Sequence, residues 1–223
     1  MTQATISIKT IFASQDFFSK LNAKQIDSIA SISCINNYSK DYIVHYEKQT
    51  NSNLLFLVYG EAKAYKIDKH ENEIFLYNIY KNSFISEISN INSTQIISFS
   101  NVSLMENSQV LSIDYKKFKE LFLDTNILHN EFMSEIISKS NQLRNLVNRE
   151  FIFDAVAKVA MMLDSDLDMF NKLKRTEVSL MLHIQPETLS RVLNRLKRDQ
   201  IIESKQGKVS ILNKLALKKI FEE

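Results

Sequence analysis

Residues Lys174–Arg198, KRTEVSLMLHIQPETLSRVLNRLKR, decide how this chain is read. Val178, Met181 and Leu182 recur at helical spacing in the first half, and Leu189, Val192, Leu193 and Leu196 in the second, so each of two short helices has one apolar face. His-Ile-Gln-Pro separates them. Pro186, the single proline, falls at a first helical position, where a missing N–H removes no hydrogen bond. The polar face of the second helix carries Glu187, Thr188, Ser190, Arg191, Asn194, Arg195 and Arg198. Such side chains suit the edges of base pairs: Arg forks onto guanine O6 and N7, Glu accepts from cytosine N4, and Ser or Thr meets either base type. The pattern predicts a helix-turn-helix whose second helix enters a major groove. A plain helical hairpin with a solvated basic face has the same periodicity, so the residues C-terminal to the second helix must decide between them.

Ile201–Ile211, IIESKQGKVSI, reads as two small strands turning at one of only two glycines, which makes a basic wing behind the reading helix. The candidate DNA contacts are therefore Arg175, Thr176, Pro186, Glu187, Thr188, Ser190, Arg191, Arg195, Lys205 and Lys208. PETLSR, the leucine-rich helix, the Ile-Ile strand and the Gly-Lys hairpin together resemble the DNA-binding end of the cyclic-AMP receptor and fumarate-nitrate-reduction regulator (CRP/FNR) family. Glu187, Thr188, Leu189, Ser190 and Arg191 are similar to the E-T-x-S-R recognition helix of its second branch. The resemblance implies an α+β chain: an N-terminal double-stranded β-helix (jelly-roll) sensor, a long dimerisation helix and a C-terminal winged helix-turn-helix. It also implies a transcription regulator, not an enzyme, that binds palindromic double-stranded DNA as a homodimer and has RNA polymerase as a partner. Half-sites of TTGA type belong to the same branch.

Charge is divided unevenly. The net charge is +2, yet residues 171–223 hold 12 basic residues against 6 acidic ones, leaving 16 against 20 upstream. The basic end is the one suited to phosphate. No run approaches the length of a membrane span, and MTQATISIKTIF lacks a basic region followed by an apolar core, so a cytoplasmic protein without membrane contact is expected. Cys34 is the single cysteine, too few for an iron–sulfur cluster or a Cys-rich zinc site within one subunit.

Upstream of the reading helices, residues 9–33 read as a helical lid around Ile11, Phe12, Phe17, Phe18, Leu21, Ile26 and Ile29. From Ile35 to about Ile113 the period is two, in short runs such as Leu54–Val58, Ala62–Ile67 and Ile74–Ile79, as in a sandwich or barrel. Gly60 stands between two of the strongest runs, at a turn or a close-packed point. Tyr115–Arg149 contains neither proline nor glycine, and Phe132, Ile136, Leu143 and Leu146 step at the spacing of a coiled-coil seam, so these four are the expected dimer contacts. A helix packed only on its own sensor is the alternative. Phe151–Leu163 reads as a further helix and Asp164–Lys172 as a polar connection. The expected domains are 1–114 (sensor), 115–150 (dimerisation helix) and 151–223 (DNA binding).

The family pattern breaks in the sensor. Phe84-Ile85-Ser86-Glu87 stands where the cyclic-nucleotide branch has Phe-Gly-Glu, and between Glu87 and Lys116 there is no arginine or lysine to hold a phosphate. Neither cyclic AMP nor an iron–sulfur cluster is expected. Phe56, Tyr65, Phe75, Tyr77, Phe84 and Phe99 are either plain core or the lining of an apolar pocket. The resemblance permits a response to nitrosative or redox stress through haem, with His45 or His129 as axial ligand. In the turn, His183 replaces a glycine common in the family; histidine tolerates the left-handed conformation needed there. Two other classes remain: a degenerate dimeric interaction protein of the same fold without operator binding, and a cupin-type metalloenzyme. The latter wants clustered histidines, whereas His45, His70, His129 and His183 lie on unlike segments.

Overall fold

The computed structural model describes residues 8–222; residues 1–7 and Glu223 of the expected end domains lie outside the described residues. The chain divides into two units at Gln142/Leu143. The first opens with α1 (Ile8–Ser14), a 3-10 turn (Asp16–Phe18) and α2 (Ala23–Ser31). Asn22 starts α2 with a capping box: its Oδ1 accepts from Gln25 N–H at 3.0 Å, and Gln25 Oε1 accepts from Asn22 N–H at 2.8 Å.

Ten strands follow: β1 (Ser33–Tyr38), β2 (Ile43–His45), β3 (Thr50–Asn51), β4 (Asn53–Tyr59), β5 (Glu61–Ile67), β6 (Glu73–Tyr80), β7 (Ser83–Phe84), β8 (Ile96–Ile97), β9 (Asn101–Leu104) and β10 (Ser108–Asp114). They pair antiparallel in two four-stranded sheets, β1-β10-β4-β7 and β2-β9-β5-β6, with β3 and β8 as a separate ribbon. This is the expected jelly roll. Gly60, at φ 99°, is the single residue in which the chain leaves β4 in one sheet and enters β5 in the other. A Cβ there would stand 2.1 Å from Ser108 Oγ and 3.0 Å from Ser108 Cα, so β10 passes too close for any side chain.

One sheet carries the helices. Phe12 and Phe18 meet edge to face at 4.8 Å, Phe56 and Phe84 at 5.0 Å, and Tyr115, Phe118, Phe122 and Leu128 complete the same buried cluster. Phe56 and Phe84 are thus core, while Phe99 is 51% exposed beneath Lys66 Nζ, 3.9 Å from its ring centre; the sensor aromatics do not line one pocket.

Tyr115–Arg149 is not one helix. It forms α3 (Tyr115–Phe118), a π turn (Lys119–Leu123) and, after a break, α4 (His129–Phe151). Asn126 supplies the break without glycine or proline by taking φ 59°, and Leu128 N–H returns to Phe122 O at 2.9 Å. The four expected seam residues do not share one environment. Phe132 is 4% exposed, packed near Phe84 and Phe118, and Ile136 leans on the same core. Leu146 is half-buried. The apolar side chains that α4 leaves exposed are Met133, Ile137, Leu143, Val147 and Phe151.

The second unit contains α5 (Ala155–Ser165), α6 (Leu167–Lys172), α7 (Arg175–Met181), α8 (Pro186–Arg198), the hairpin β11 (Ile202–Lys205) and β12 (Lys208–Ile211), and α9 (Lys214–Glu222). α5 starts later than the sequence suggested because Asp154 caps it, Oδ1 accepting from Val156 and Ala157 N–H. The expected polar connection holds a helix, α6, with Asp166 accepting from Met169 N–H at 3.3 Å.

The two glycines give a matched pair of substitutions. Gly60→Ala adds a steric clash to an unfavourable φ and should destabilise the protein by about 2–4 kcal/mol. Gly207→Ala has nothing within 4 Å of the new Cβ, only a φ of 80°, and should lose about 1 kcal/mol. Urea denaturation of both variants checks this; equal losses would refute the close approach of β10 at Gly60.

Candidate nucleic-acid interface

α8 is built to bury one face and offer the other. Leu189, Val192 and Leu196 are 1–6% exposed, and α8 packs on α5 and α7 through that stripe. At about 2 kcal/mol for each such side chain, the burial holds the helix firmly enough that its outer residues need contribute nothing to folding. Glu187, Ser190, Arg191, Asn194, Arg195 and Arg198 are exposed on the opposite side, with Thr188 half-buried. Arg191 Nη2 donates to Thr188 Oγ1 at 3.1 Å, one turn back along the helix, which partly orders the guanidinium. Arg195 and Arg198 both lean on Asp199 at the helix C-terminus, at 3.8 and 3.6 Å. Pro186 is the first residue of α8, and Gln185 before it makes no side-chain capping bond.

The turn before α8 ends α7 in a Schellman arrangement: Ile184 N–H bonds Ser179 O at 3.0 Å and His183 N–H bonds Leu180 O at 3.1 Å. His183 takes φ 51°, as its residue type led one to expect. Its ring does more than tolerate the position. Nδ1 lies 2.8 Å from Glu150 Oε2, and Glu150 also meets Arg149 Nε at 2.8 Å and Lys158 Nζ at 3.5 Å. Burial pushes the Glu150 carboxyl up, but the hydrogen bonds from His183 and Arg149 outweigh it and leave the group below its ordinary value.

The wing turns through Gln206 and Gly207, at φ 50° and 80°, the two positive values that a two-residue hairpin turn requires. Lys205 and Lys208 face each other across its tip, both exposed; Lys205 Nζ touches Glu203 at 2.9 Å. Two struts fix the hairpin. Asn171 on α6 pairs with Val209 like a strand, Nδ2 donating to Val209 O and Oδ1 accepting from Val209 N–H, both at 2.8 Å. Arg175 donates to Gly207 O at 2.6 Å and to Phe170 O at 3.1 Å, with its guanidinium over the Phe170 ring at 4.4 Å. Arg175 is thus engaged inside the unit, while Thr176 beside it is exposed.

In the sensor, Glu87 accepts from Tyr77 Oη, from Phe99 N–H at 3.0 Å and from Ser100 Oγ at 3.4 Å. Burial, then Glu87, pushes the Tyr77 phenol well above its usual range. A cation does approach this acid, from a part of the sequence far from the strands: Lys139 Nζ of α4 lies 5.4 Å from the Tyr77 ring centre. Burial pushes its ammonium down while Glu87 and Glu135 pull it up. Ser86, in the place of a glycine, accepts from Leu55 N–H at 2.9 Å. His45 is 2% exposed, and neither ring nitrogen has a partner or touches open space; burial lowers its pKa, against the pull of Glu87. Both nitrogens are closed off from the surface, so His45 as placed presents neither of them to a haem. His129 is exposed at the start of α4.

Residues 35–125 match the model of the cyclic nucleotide-binding domain, and residues 156–220 that of the Crp-like helix-turn-helix domain. Together they account for most of the chain. It belongs to the CRP/FNR family of transcription regulators. The fold of this family member is shared with FixK2 from Bradyrhizobium japonicum (TM-score 0.70, 14% identity, covering 85% of this chain and 98% of that one). It is shared also with a transcriptional regulator of the crp/fnr family, described as putative, from Eubacterium rectale (0.65, 16%, 93% and 98%). A CooA mutant from Carboxydothermus hydrogenoformans gives 0.67 at 19% identity, covering 85% and 88%. No curated protein matches the chain in sequence. Among the described residues no helix is long and apolar enough to cross a membrane.

Asn171 escaped the sequence reading because nothing local marks an amide that pairs with a strand 38 residues away. Asn171→Ala should leave Val209 N–H and C=O unpaired, destabilise the second unit by about 1–3 kcal/mol and speed amide exchange along β12. Unchanged exchange at Val209 would remove Asn171 as the wing strut.

Proposed function

We propose that this CRP/FNR regulator binds a two-fold symmetric DNA site as a homodimer and reads it with α8. The observation that carries the reading is the exposed polar face of α8, Glu187, Ser190, Arg191 and Asn194, set on a helix whose other face is buried and beside a wing fixed by Asn171 and Arg175. Glu187, Ser190 and Arg191 make the base-edge contacts, with Thr188 orienting Arg191. Thr176, Pro186, Arg195, Lys205 and Lys208 lie against phosphate and sugar, and Arg175 acts through the wing turn. RNA polymerase is the partner that the family resemblance suggests. The sensor is not gated by cyclic AMP in this reading: Glu87 is already bonded by Tyr77, Phe99 and Ser100. Residues 1–114, 115–150 and 151–223 serve as sensor, dimerisation segment and DNA-binding domain, with α4 as the pairing element of the middle one.

Selection of bound DNA from a random pool should yield half-sites of TTGA type about 34 Å apart, one helical turn. Arg191→Ala should lose about 1–3 kcal/mol and relax preference at one G·C pair, while Lys208→Ala should weaken all sequences alike and reduce the salt dependence. An unchanged base preference in Arg191→Ala would mean that α8 is docked in another register.

The same reading assigns the pairing surface to the apolar side chains of α4 that the described residues leave exposed, Met133, Ile137, Leu143 and Val147. Leu143→Asp or Ile137→Asp would bury an unpaired carboxylate between two helices and should dissociate the dimer, with tight operator binding lost in parallel. Light scattering that shows an unchanged dimer for both would sink this assignment.

A further inference from the structure

Burial alone does not hold the N-terminal end of α8. Leu189 is the first buried side chain of that helix; Gln185, Pro186 and Glu187 before it are exposed, Thr188 is half-buried, and Gln185 makes no side-chain capping bond. This end is carried by the turn that feeds it. The backbone bonds of the turn close it on α7, whereas one of its side chains, His183, bonds outside the helix-turn-helix, to Glu150 Oε2 at 2.8 Å.

The backbone gives no reason for a histidine here. Its φ is 51°, which glycine holds without steric cost and other residue types hold at a cost. The imidazole is poorly served besides, since Nε2 is buried with no hydrogen-bond partner among the described residues. What the ring gains in return is the bond at Nδ1, and because Glu150 is held ionised, Nδ1 is the donor. Glu150 in turn is a fixed point. It is the next-to-last residue of α4; Arg149 Nε meets its Oε1 at 2.8 Å, Lys158 Nζ of α5 approaches its Oε2 at 3.5 Å, and both basic side chains are 10% exposed. A carboxylate clamped from two elements does not follow the turn; the turn follows it.

We propose that His183 is a positioning residue for base reading: through Glu150 it docks the turn, and with it the first turn of α8, onto the end of α4 and onto α5. The left-handed backbone at His183 is strain accepted for that contact. Pro186, with its fixed φ, passes the position of the turn on to Glu187 and Thr188, and from them to Arg191. This role rests on the reading of α8 as the helix that enters DNA.

Substitution at Glu150 would take a carboxylate away from two buried cations, so the test is placed on His183. Asn and Asp both accept the left-handed backbone, and their δ atoms stand one bond beyond Cγ as Nδ1 does, but Asn offers a donor there and Asp only acceptors. The ratio of affinity for the selected operator to affinity for unrelated DNA, read by fluorescence anisotropy, should stay within about twofold of the parent in His183→Asn and fall about fivefold or more in His183→Asp and His183→Gly. The ratio cancels the charge that Asp adds, which acts on all sequences alike. In the free protein, amide exchange at Ile184 and along the first turn of α8 should be as slow in His183→Asn as in the parent and faster in the other two. Thermal melts identify any variant that is not folded at the assay temperature; if His183→Asp is such a variant, the glycine and asparagine variants decide. The proposal is overturned if His183→Gly keeps the parent's ratio, or if His183→Asn falls as far as His183→Gly. A parent without any sequence preference would sink the reading of α8 and this role with it, whereas full preference in the parent beside an unchanged glycine variant sinks the role of His183 alone.

Discussion

The helix-turn-helix and its wing depend on one buried stripe. Leu189, Val192 and Leu196 anchor α8 to α5 and α7, and because that anchoring is apolar it leaves the polar half of the helix free of any structural duty. The turn before it and the wing behind it are then held by polar bonds that reach back to neighbouring elements: His183 to Glu150, Asn171 to Val209, Arg175 to Gly207. Apolar burial fixes where the helix lies, and directed hydrogen bonds fix how the flanking segments are aimed. Base reading tolerates little misplacement, so the second set matters as much as the first.

Much of this was legible in the residues. Helical periodicity marked α7 and α8, alternation marked the strands, and the rule that histidine accepts a left-handed backbone placed His183 in the turn. What could not be read has a common cause, contact between residues distant in sequence. Arg175 looks like a cation free to meet phosphate, and only the fold shows two carbonyl oxygens and a phenyl ring around it. Lys139 is invisible to any search of the strand segment for a basic residue, since α4 brings it there.

The long helix shows a different kind of ambiguity. Apolar residues come in adjacent pairs, Phe132 with Met133 and Ile136 with Ile137, so two stripes of similar strength run side by side. Period alone cannot say which stripe a protein keeps for its own core. Phe132 fills a gap between Phe84 and Phe118, and the neighbouring stripe is the one left over. The break at Asn126 escaped for a related reason: it uses no glycine or proline, only an asparagine in the left-handed region.

Asp199 has a consequence for selectivity. Arg195 and Arg198 both rest against it, so the protein carries its own rival for the phosphates of any DNA it meets. In the proposed docking, each of those arginines would leave a carboxylate before it served a phosphate, and a strand that came near would also feel the repulsion of that carboxylate. The exposed pairs are weak singly, but they subtract from contacts that every sequence offers equally. Arg191, bonded instead to a neutral threonine, has no such rival. If α8 reads DNA as proposed, indiscriminate attraction is thereby damped while the base contact assigned to Arg191 keeps its strength, and discrimination rises without any base contact being added.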